Sequence, residues 1–450
     1  MVNTLFLPEL REMLQSNNTQ ELREFCEALH PATTADFMSG LTVDEAWRVL
    51  QHASPEARFQ VFQYFEHERQ LEMVQTQDRE AVAEVLARMP GDDRVDLLNE
   101  LEPEEVESLV ALMPREERRE TLRLQAYPEG TAGAVMTTEV ARLTETLTVS
   151  EALQELSRQS ATVETIYYLY VVDDENHLRG VLSTRDLISS LGAPNRPLRD
   201  LMETRVISVD VLDDQEEVAR KVAYYDLLAI PVVDDQHQML GIITHDDVID
   251  VVREEATEDA QRIAGVAPLD YGYLQTALGK LCWNRGIWLG PLFFGSLLTA
   301  TAMRRYSDEL DQWDFLIWFL PMIVSSGGNS GNQTATLIIT ALTTGNITLK
   351  HWAKVVTREA IMGIALGLLL AAAFVPVALF FAPKALVVVP VTLVLVVLCG
   401  TLVGSILPLL FCWLGQDPAL MSNPFVAGVI DIVGIVIYVN VALLLLSGTA

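Results

Sequence analysis

The chain is short of cysteine. Its four, Cys26, Cys282, Cys399 and Cys412, form no CxxC pair, and three lie in or beside apolar segments. That argues against a disulfide framework or a zinc ribbon. Positive charge is also scarce, with 31 Lys and Arg against 61 Asp and Glu, a net charge of −30. An acidic face repels phosphates, so nucleic acid is not an expected partner. The first residues, MVNTLFLPELREMLQSNN, lack a basic start and an uninterrupted apolar run. No secretory signal is expected there, and the acidic part should stay in the cytosol. No Walker loop or metal-hydrolase triad is present, so neither ATP-driven pumping nor an enzyme is expected.

The 450 residues are enough for about three domains. Their charge is unevenly placed. Residues 1–270 hold 54 acidic and 23 basic side chains, whereas residues 271–450 hold 7 and 8. A strongly acidic front is joined to a nearly uncharged, apolar back. This rules out a wholly soluble enzyme, a disordered chain and a collagen-like fibre.

Residues 1–130 read as helix throughout, with apolar positions every three or four residues, as in Leu97, Leu98, Leu101, Val106, Leu109, Val110 and Leu112. Met89-Pro90 and Met113-Pro114 repeat the same helix end 24 residues apart, and Pro55 and Pro103 add further breaks. The expected domain is a helical superhelix built from short helix pairs. After Val135 strands appear. A strand-turn-strand-helix pattern occurs twice at a spacing of 61 residues. Both copies hold Val-Val-Asp-Asp (171–174 and 232–235) and Gly-x-x-[Ser/Thr]-x-x-Asp (Gly180 to Asp186 and Gly241 to Asp247). This closely resembles a tandem pair of cystathionine-β-synthase (CBS) domains, an α/β unit. Its members often bind adenine nucleotides such as ATP, which implies Asp186 with Arg185 for the ribose and Tyr168 for stacking.

Five long apolar segments lie near 286–303, 314–343, 356–382, 385–411 and 422–447. Each is near or above the ~20 residues a bilayer helix needs. With the acidic half inside, Lys280, Arg285, Lys350, Lys354 and Arg358 fall near cytosolic ends, against Arg304, Arg305 and Lys384 outside. Five spans put the C-terminus outside. Two of the spans carry polar groups. The second holds Ser-Ser-Gly-Gly-Asn-Ser-Gly-Asn-Gln-Thr (325–334), in which Asn329, Asn332 and Thr336 share one helical face. Such a stretch is tolerated where it lines water or is buried in protein; close packing of small residues is the alternative. The fifth places Asn423, Ala427, Asp431 and Gly434 in one stripe. Asp431 sits roughly 12 Å along the helix from Asn423, at 1.5 Å per residue. A carboxylate there costs at least ~3 kcal/mol unless paired or wet. No Lys or Arg lies deep in a span to pair with it. Water plus a cation solves the problem; a protonated Asp bonded to a carbonyl is the alternative. The oxygen-only donor set suits Mg²⁺, Ca²⁺ or Mn²⁺. One carboxylate per chain fits a largely hydrated ion and two chains around one axis.

Taken in order, a helical domain, a CBS pair, an acidic helix and five spans carry Gly-Gly-Asn-Ser-Gly-Asn-Gln in the second span and Asp-Pro-Ala-Leu-Met-Ser-Asn-Pro before Asp431 in the fifth. The whole chain resembles the bacterial MgtE family of magnesium transporters. The resemblance implies a homodimeric Mg²⁺ channel in the cytoplasmic (inner) membrane whose cytosolic domains sense Mg²⁺. The domains implied are 1–130, a Mg²⁺-sensing helical domain; 131–198 and 199–252, the CBS domains; 246–270, an acidic linking helix; and 271–450, the pore. Asp431 matches the family's central ion-binding aspartate, and Asp417 a carboxylate near the pore entrance. Regulatory divalent sites are implied at Asp92, Asp96, Asp214, Glu216, Asp226, Asp247, Asp250, Glu255, Glu258 and Asp259. Where the family has an N-domain glutamate, this chain has Gln60-Val61. The competing readings are an exporter or a carrier of Mn²⁺ or Co²⁺, and a membrane-anchored CBS sensor that moves nothing.

Overall fold

The computed structural model describes residues 5–160, 163–269, 272–274 and 276–446. The chain forms two compact units, residues 1–253 and 254–450, divided inside one helix.

The first unit opens with short helices from α1 (Leu7–Ser16) to α10 (Arg115–Leu124). Proline sets their starts. Pro55 and Pro103 are the first residues of α5 (Pro55–Phe62) and α9 (Pro103–Leu112), and Pro90 and Pro114 cap α8 (Gly91–Asn99) and α10. A proline lacks only an N–H that the first turn leaves unbonded anyway. Helix α3 (Pro31–Phe37) packs on α5, α5 on α7 (Arg79–Leu86), and α7 on α9. Next-but-one neighbours stack, as in a superhelix, over a core that includes Trp47, Phe62, Leu86 and Leu98.

Two three-stranded sheets follow. In the first, β1 (Val140–Thr144) runs parallel to β2 (Thr165–Val172), which is antiparallel to β3 (Leu178–Ser183). Helix α11 (Val149–Gln159) joins β1 to β2 and is capped by Thr148 and Glu151; α12 (Thr184–Ser189) follows β3. The second copy is β4 (Val209–Asp210), α13 (Gln215–Tyr225), β5 (Ala229–Val233), β6 (Met239–Thr244) and α14 (His245–Ile263). The repeated glycines have a packing reason. Val171 pairs with Gly180, and Val232 with Gly241. A Cβ at Gly180 would lie 2.6 Å from Met202 Sδ, and one at Gly241 only 2.3 Å from the Thr137 carbonyl oxygen. Each bare Cα admits a chain segment that bridges onto the strand, Glu203 on Val181 and Thr137 on Ile242.

The second unit holds α15 (Leu278–Arg305), α16 (Ser307–Gln312), α17 (Phe315–Thr343), α18 (Trp352–Phe381), α19 (Val388–Trp413) and α20 (Asn423–Leu446). Among the described residues four segments are long and apolar enough to cross a membrane: Leu278–Arg305, Leu349–Phe380, Val388–Trp413 and Asn423–Leu446. The other expected span, α17, has 29 residues, but its polar centre lowers its mean hydropathy. Helix α19 packs against α17, α18 and α20. Its contact with α17 is backbone to backbone. A Cβ at Gly400 would come within 2.5 Å of the Gly327 carbonyl oxygen, and one at Gly404 within 2.3 Å of that of Gly331. Side chains cannot be fitted there without parting the helices.

Candidate cation sites

The polar centre of α17 serves two faces. Gly327 and Gly331 lie where α19 and the Ile430 side chain of α20 both pack on α17, so the packing alternative holds for the glycines. The asparagine face turns to α20. Thr336 and Asn423 exchange hydrogen bonds at 3.0 and 3.3 Å. Eight residues deeper on both helices, a Cβ at Gly328 would lie 3.9 Å from Asp431 Oδ1 and from Ala427 Cβ. The two helices are therefore antiparallel in constant register, and the contacts are about 12 Å apart along the axis. Asp431 is half-buried and makes no hydrogen bond or ion pair among the described residues. The amide oxygen of Asn332 is buried without a partner, while Asn329 Nδ2 donates to Ser325 at 3.4 Å. This seam has a carboxylate and amide oxygens at membrane depth and no cationic side chain bonded to them. Among the described residues no three His, Cys, Asp or Glu side chains converge to hold a metal directly. Contact through an ion's waters, or ligands from two chains, fits that geometry.

At the Asn423 end of the seam stands a second group. Asp417 caps the turn Pro418–Leu420, accepting the Ala419 N–H at 2.8 Å. Arg262 of α14 pairs with both Asp417 and Glu258. Asp259 stands close to Thr343, whose hydroxyl, at the last turn of α17, donates to the Thr340 carbonyl oxygen at 3.3 Å. Burial holds the Asp259 carboxyl above its ordinary range, and the negative charge of Asp417 adds to this. Gly265 ends α14 with φ +74°, and its bare Cα lies against Pro424 and Ser422, where a Cβ would be 3.3 Å from Pro424 Cγ. Only glycine meets both demands cheaply. Glu255 lies close enough for its charge to act on Asp259.

The first unit has its own carboxylate cluster. Asp92 of α8 is 7% exposed and its Oδ1 has no partner. Burial raises its pKa well above the usual range, helped by the charges of Asp247, Asp93 and Glu164. Asp93 is pushed to about 6 by burial and then by Asp247, Asp250 and Asp246. Glu164, just before β2, is pushed to about 7 by burial and then by Glu139, Asp247, Asp246 and Asp93. Asp247 is raised by burial although Thr244 donates to it. The nearby Arg94 does not relieve them, because its guanidinium is bonded to Glu120 at 2.7 Å. Acids from α8, the start of β2 and α14 thus act on one another, with Asp92 buried, Asp247 half-buried and Asp93 and Glu164 at the exposed rim, a concentration of like charge that a divalent cation would relieve.

That cluster sets a pH dependence. The folded chain holds protons on Asp93 and Glu164 that the unfolded chain has already released. Their stabilising contribution is present below their ordinary pKa values of 3.8 and 4.5 and is lost as pH rises through about 6 and about 7. In Mg²⁺-free buffer, the protection of amides in α8 and at residues 245–253, taken as exchange relative to the intrinsic rate at each pH, should fall between about pH 5 and 8. Millimolar Mg²⁺ should reverse this at pH 8 and add little at pH 5. The Asp93→Asn/Glu164→Gln variant should flatten the profile; a slope unchanged in that variant would assign it elsewhere.

The remaining expected residues are dispersed. Asp214 caps the start of α13 and Asp226 its end, in the left-handed region at φ 52°, so the two do not meet within one chain. Glu216 lies 3.8 Å from Arg220. Asp96, on the same helix as Asp92, acts on His67, whose ring is raised chiefly by its hydrogen bond to Glu100. In the CBS pair, Ser183 and Asp186 cap each other at 2.5 and 3.1 Å, and Tyr168 is the strand partner of Ser183. That brings Tyr168, Arg185 and Asp186 to one strand end. The repeated Asp is thus a cap in both copies, with Asp247 in the second. Glu359 of α18 escaped notice in the sequence, because Lys354 and Arg358 mark that stretch as a helix end. The structure bonds it to Thr334 at 3.0 Å. The only local signal was a lone carboxylate running into an apolar stretch with glycines four and eight residues on.

Residues 320–441 match the MgtE family, described as a divalent cation transporter, residues 29–130 the MgtE intracellular N domain, and residues 132–193 and 198–254 the CBS domain. The magnesium transporter MgtE of Thermus thermophilus is 37% identical over 442 residues, covering 97% of this chain and 98% of its own. That of Bacillus subtilis is 32% identical over 432 residues, 96% of this chain and 95% of its own. A crystal structure of the soluble part of a magnesium transporter aligns with a TM-score of 0.52 at 39% identity, over 55% of this chain and 97% of that one. The cytosolic domain of the Mg²⁺ channel MgtE in complex with ATP gives 0.51 at 36% identity, over 54% and 98%.

Proposed function

The chain belongs to the MgtE family of divalent cation transporters, and on that footing we propose that it is a Mg²⁺ channel, working as a homodimer and importing Mg²⁺ down its electrochemical gradient. The observation that carries this reading is the seam of α17 and α20. Asp431 stands there half-buried without a bonded partner, opposite Gly328, with the unsatisfied Asn332 oxygen nearby. A hydrated ion answers both needs. Seams from two chains facing each other would enclose it. Asn329, Asn332 and Asn423 would contact its waters, and Asp417 would receive it at the cytosolic mouth. The apolar helices support a multi-pass protein; counting α17 as a fifth crossing, we place its soluble N-terminal half in the cytosol and its C-terminus outside, in the bacterial inner membrane.

Closure is set by the two acidic groups. At low Mg²⁺ the carboxylates of 1–130, the CBS pair and the linking helix 246–270 repel. At high Mg²⁺ ions bridge Asp92, Asp247 and Asp250 in one group, and Glu255, Glu258, Asp259 and Asp417 in the other. Asp96, Asp214, Glu216 and Asp226 take further ions on the same faces. The linking helix expected over 246–270 ends at Ile263; residues 270, 271 and 275, at the junction with the pore domain expected at 271–450, lie outside the described residues. The Tyr168, Arg185 and Asp186 strand end takes the adenine nucleotide, a reading supported by the relative crystallised with ATP. The test is influx into liposomes carrying the purified chain, ion by ion. Mg²⁺ should enter, with Ca²⁺ at least about tenfold slower, because Mg²⁺ keeps a compact octahedral water shell that the larger Ca²⁺ does not. Uptake of Mn²⁺ or Co²⁺ without Mg²⁺ would overturn the assignment.

A further inference from the structure

Glu359 lies away from the Asp431 seam, yet it ties α17, one of the two helices that shape the seam, into the rest of the bundle. Thr334 Oγ1, 4% exposed on α17, donates to Glu359 Oε2 at 3.0 Å. Thr401 Oγ1, fully buried on α19, donates to the Glu359 carbonyl oxygen at 3.0 Å. One residue of α18 therefore holds α17 by its side chain and α19 by its backbone. Thr334 is two positions beyond Asn332, about 200° around the helix. The clasp is thus on the face of α17 opposite the asparagines.

Aliphatic side chains seat α17 at its glycines: a Cβ at Gly327 would lie 2.4 Å from Val396 Cγ1 of α19, and one at Gly331 2.2 Å from Ile430 Cδ1 of α20. Such packing is non-directional. Besides the Thr336–Asn423 bonds, the clasp supplies a directional hold on the turn of α17. A rotation of about 20° would swing a side-chain tip by about 2 Å, given a helix radius of 5–6 Å with side chains. That is enough to move an amide off the water shell of an ion. A carboxylate acceptor makes a stronger bond than a neutral one, which suits a clasp at membrane depth.

We infer that Glu359 is a positioning residue for ion selection: through Thr334 it fixes the rotation of α17 and so aims Asn329 and Asn332 at the ion's water shell. This rests on the reading of the α17–α20 seam as the ion path. The experiment compares Mg²⁺ and Ca²⁺ influx into liposomes for the full chain and for Glu359→Ala, Thr334→Val, both together, Glu359→Gln and Asp431→Asn. Glu359→Ala and Thr334→Val should each lower the Mg²⁺/Ca²⁺ influx ratio about tenfold, the scale of one lost buried hydrogen bond. The double variant should be no worse than either single, and Glu359→Gln, which keeps an acceptor, should stay within about twofold of the parent. Thr334→Val is nearly isosteric and carries the test if Glu359→Ala fails to fold. An unchanged ratio in the single variants, additive losses in the double, or a Gln variant as poor as the Ala variant would each overturn the inference. Asp431→Asn separates the two readings: if it conducts normally, the seam itself has failed and the clasp falls with it. If it is dead while the Glu359 variants select normally, only the clasp has failed.

Discussion

Asp431→Asn should cut Mg²⁺ influx by at least about 100-fold in liposomes while the protein keeps its fold. The size follows from the penalty of about 3 kcal/mol for a carboxylate at membrane depth, which the ion and its waters must offset. Asparagine has nearly the same shape and fills the same place opposite Gly328, so packing is not disturbed. It lacks the charge that draws a dication into a low-dielectric seam. The bonded pair Thr336–Asn423, eight residues away, is untouched and should hold α17 and α20 together. Influx at the parent rate, with unchanged thermal stability, would remove Asp431 from the ion path. A variant that fails to assemble would instead make it a structural residue.

The second large effect concerns closure. Neutralising Asp247, Asp250, Glu255, Glu258 and Asp259 together, as Asn and Gln, should leave a channel that stays open at internal Mg²⁺ that shuts the parent. A bound ion biases the equilibrium only by its differential affinity for the closed form. Moving a population from 1:99 to 99:1 takes about 5.5 kcal/mol. No single weak site provides that, so single variants should shift the closing concentration modestly and the combination should abolish closure. Arg262 makes the requirement sharper. It already bonds Glu258 and Asp417, so an ion arriving at the mouth competes with a resident cation. Single-channel or flux recording against internal Mg²⁺ decides the matter. If the fivefold variant still closes at the parent concentration, the acidic surface is a solubility device and closure lies elsewhere.

Much of this was legible before any coordinates. The proline positions marked the helix starts of the superhelix because proline is tolerated at the first turn and not beyond it. The 61-residue repeat announced two like sheets, and the structure adds why its glycines recur: Gly180 and Gly241 each admit a bridging segment. The small-residue stretch 325–334 was ambiguous between packing and a polar path. It is both, because successive helical residues point about 100° apart and the glycines and asparagines fall on different faces.

The sequence by itself determined the acidic-front, apolar-back organisation, the helical, CBS and membrane segments, and the exceptional nature of Asp431, because composition and period are local properties of the chain. Only the tertiary structure decided which distant groups meet. It brought Asp92 and Asp93 within reach of the charges of Asp247 and Glu164, raising their pKa values by desolvation and like charge. It separated Asp214 from Asp226 by the length of α13. It set Arg262 on Asp417, 155 residues away, and Glu359 on Thr334. Charge interactions depend on distance through space and on burial, and neither is written in the spacing of residues along the chain.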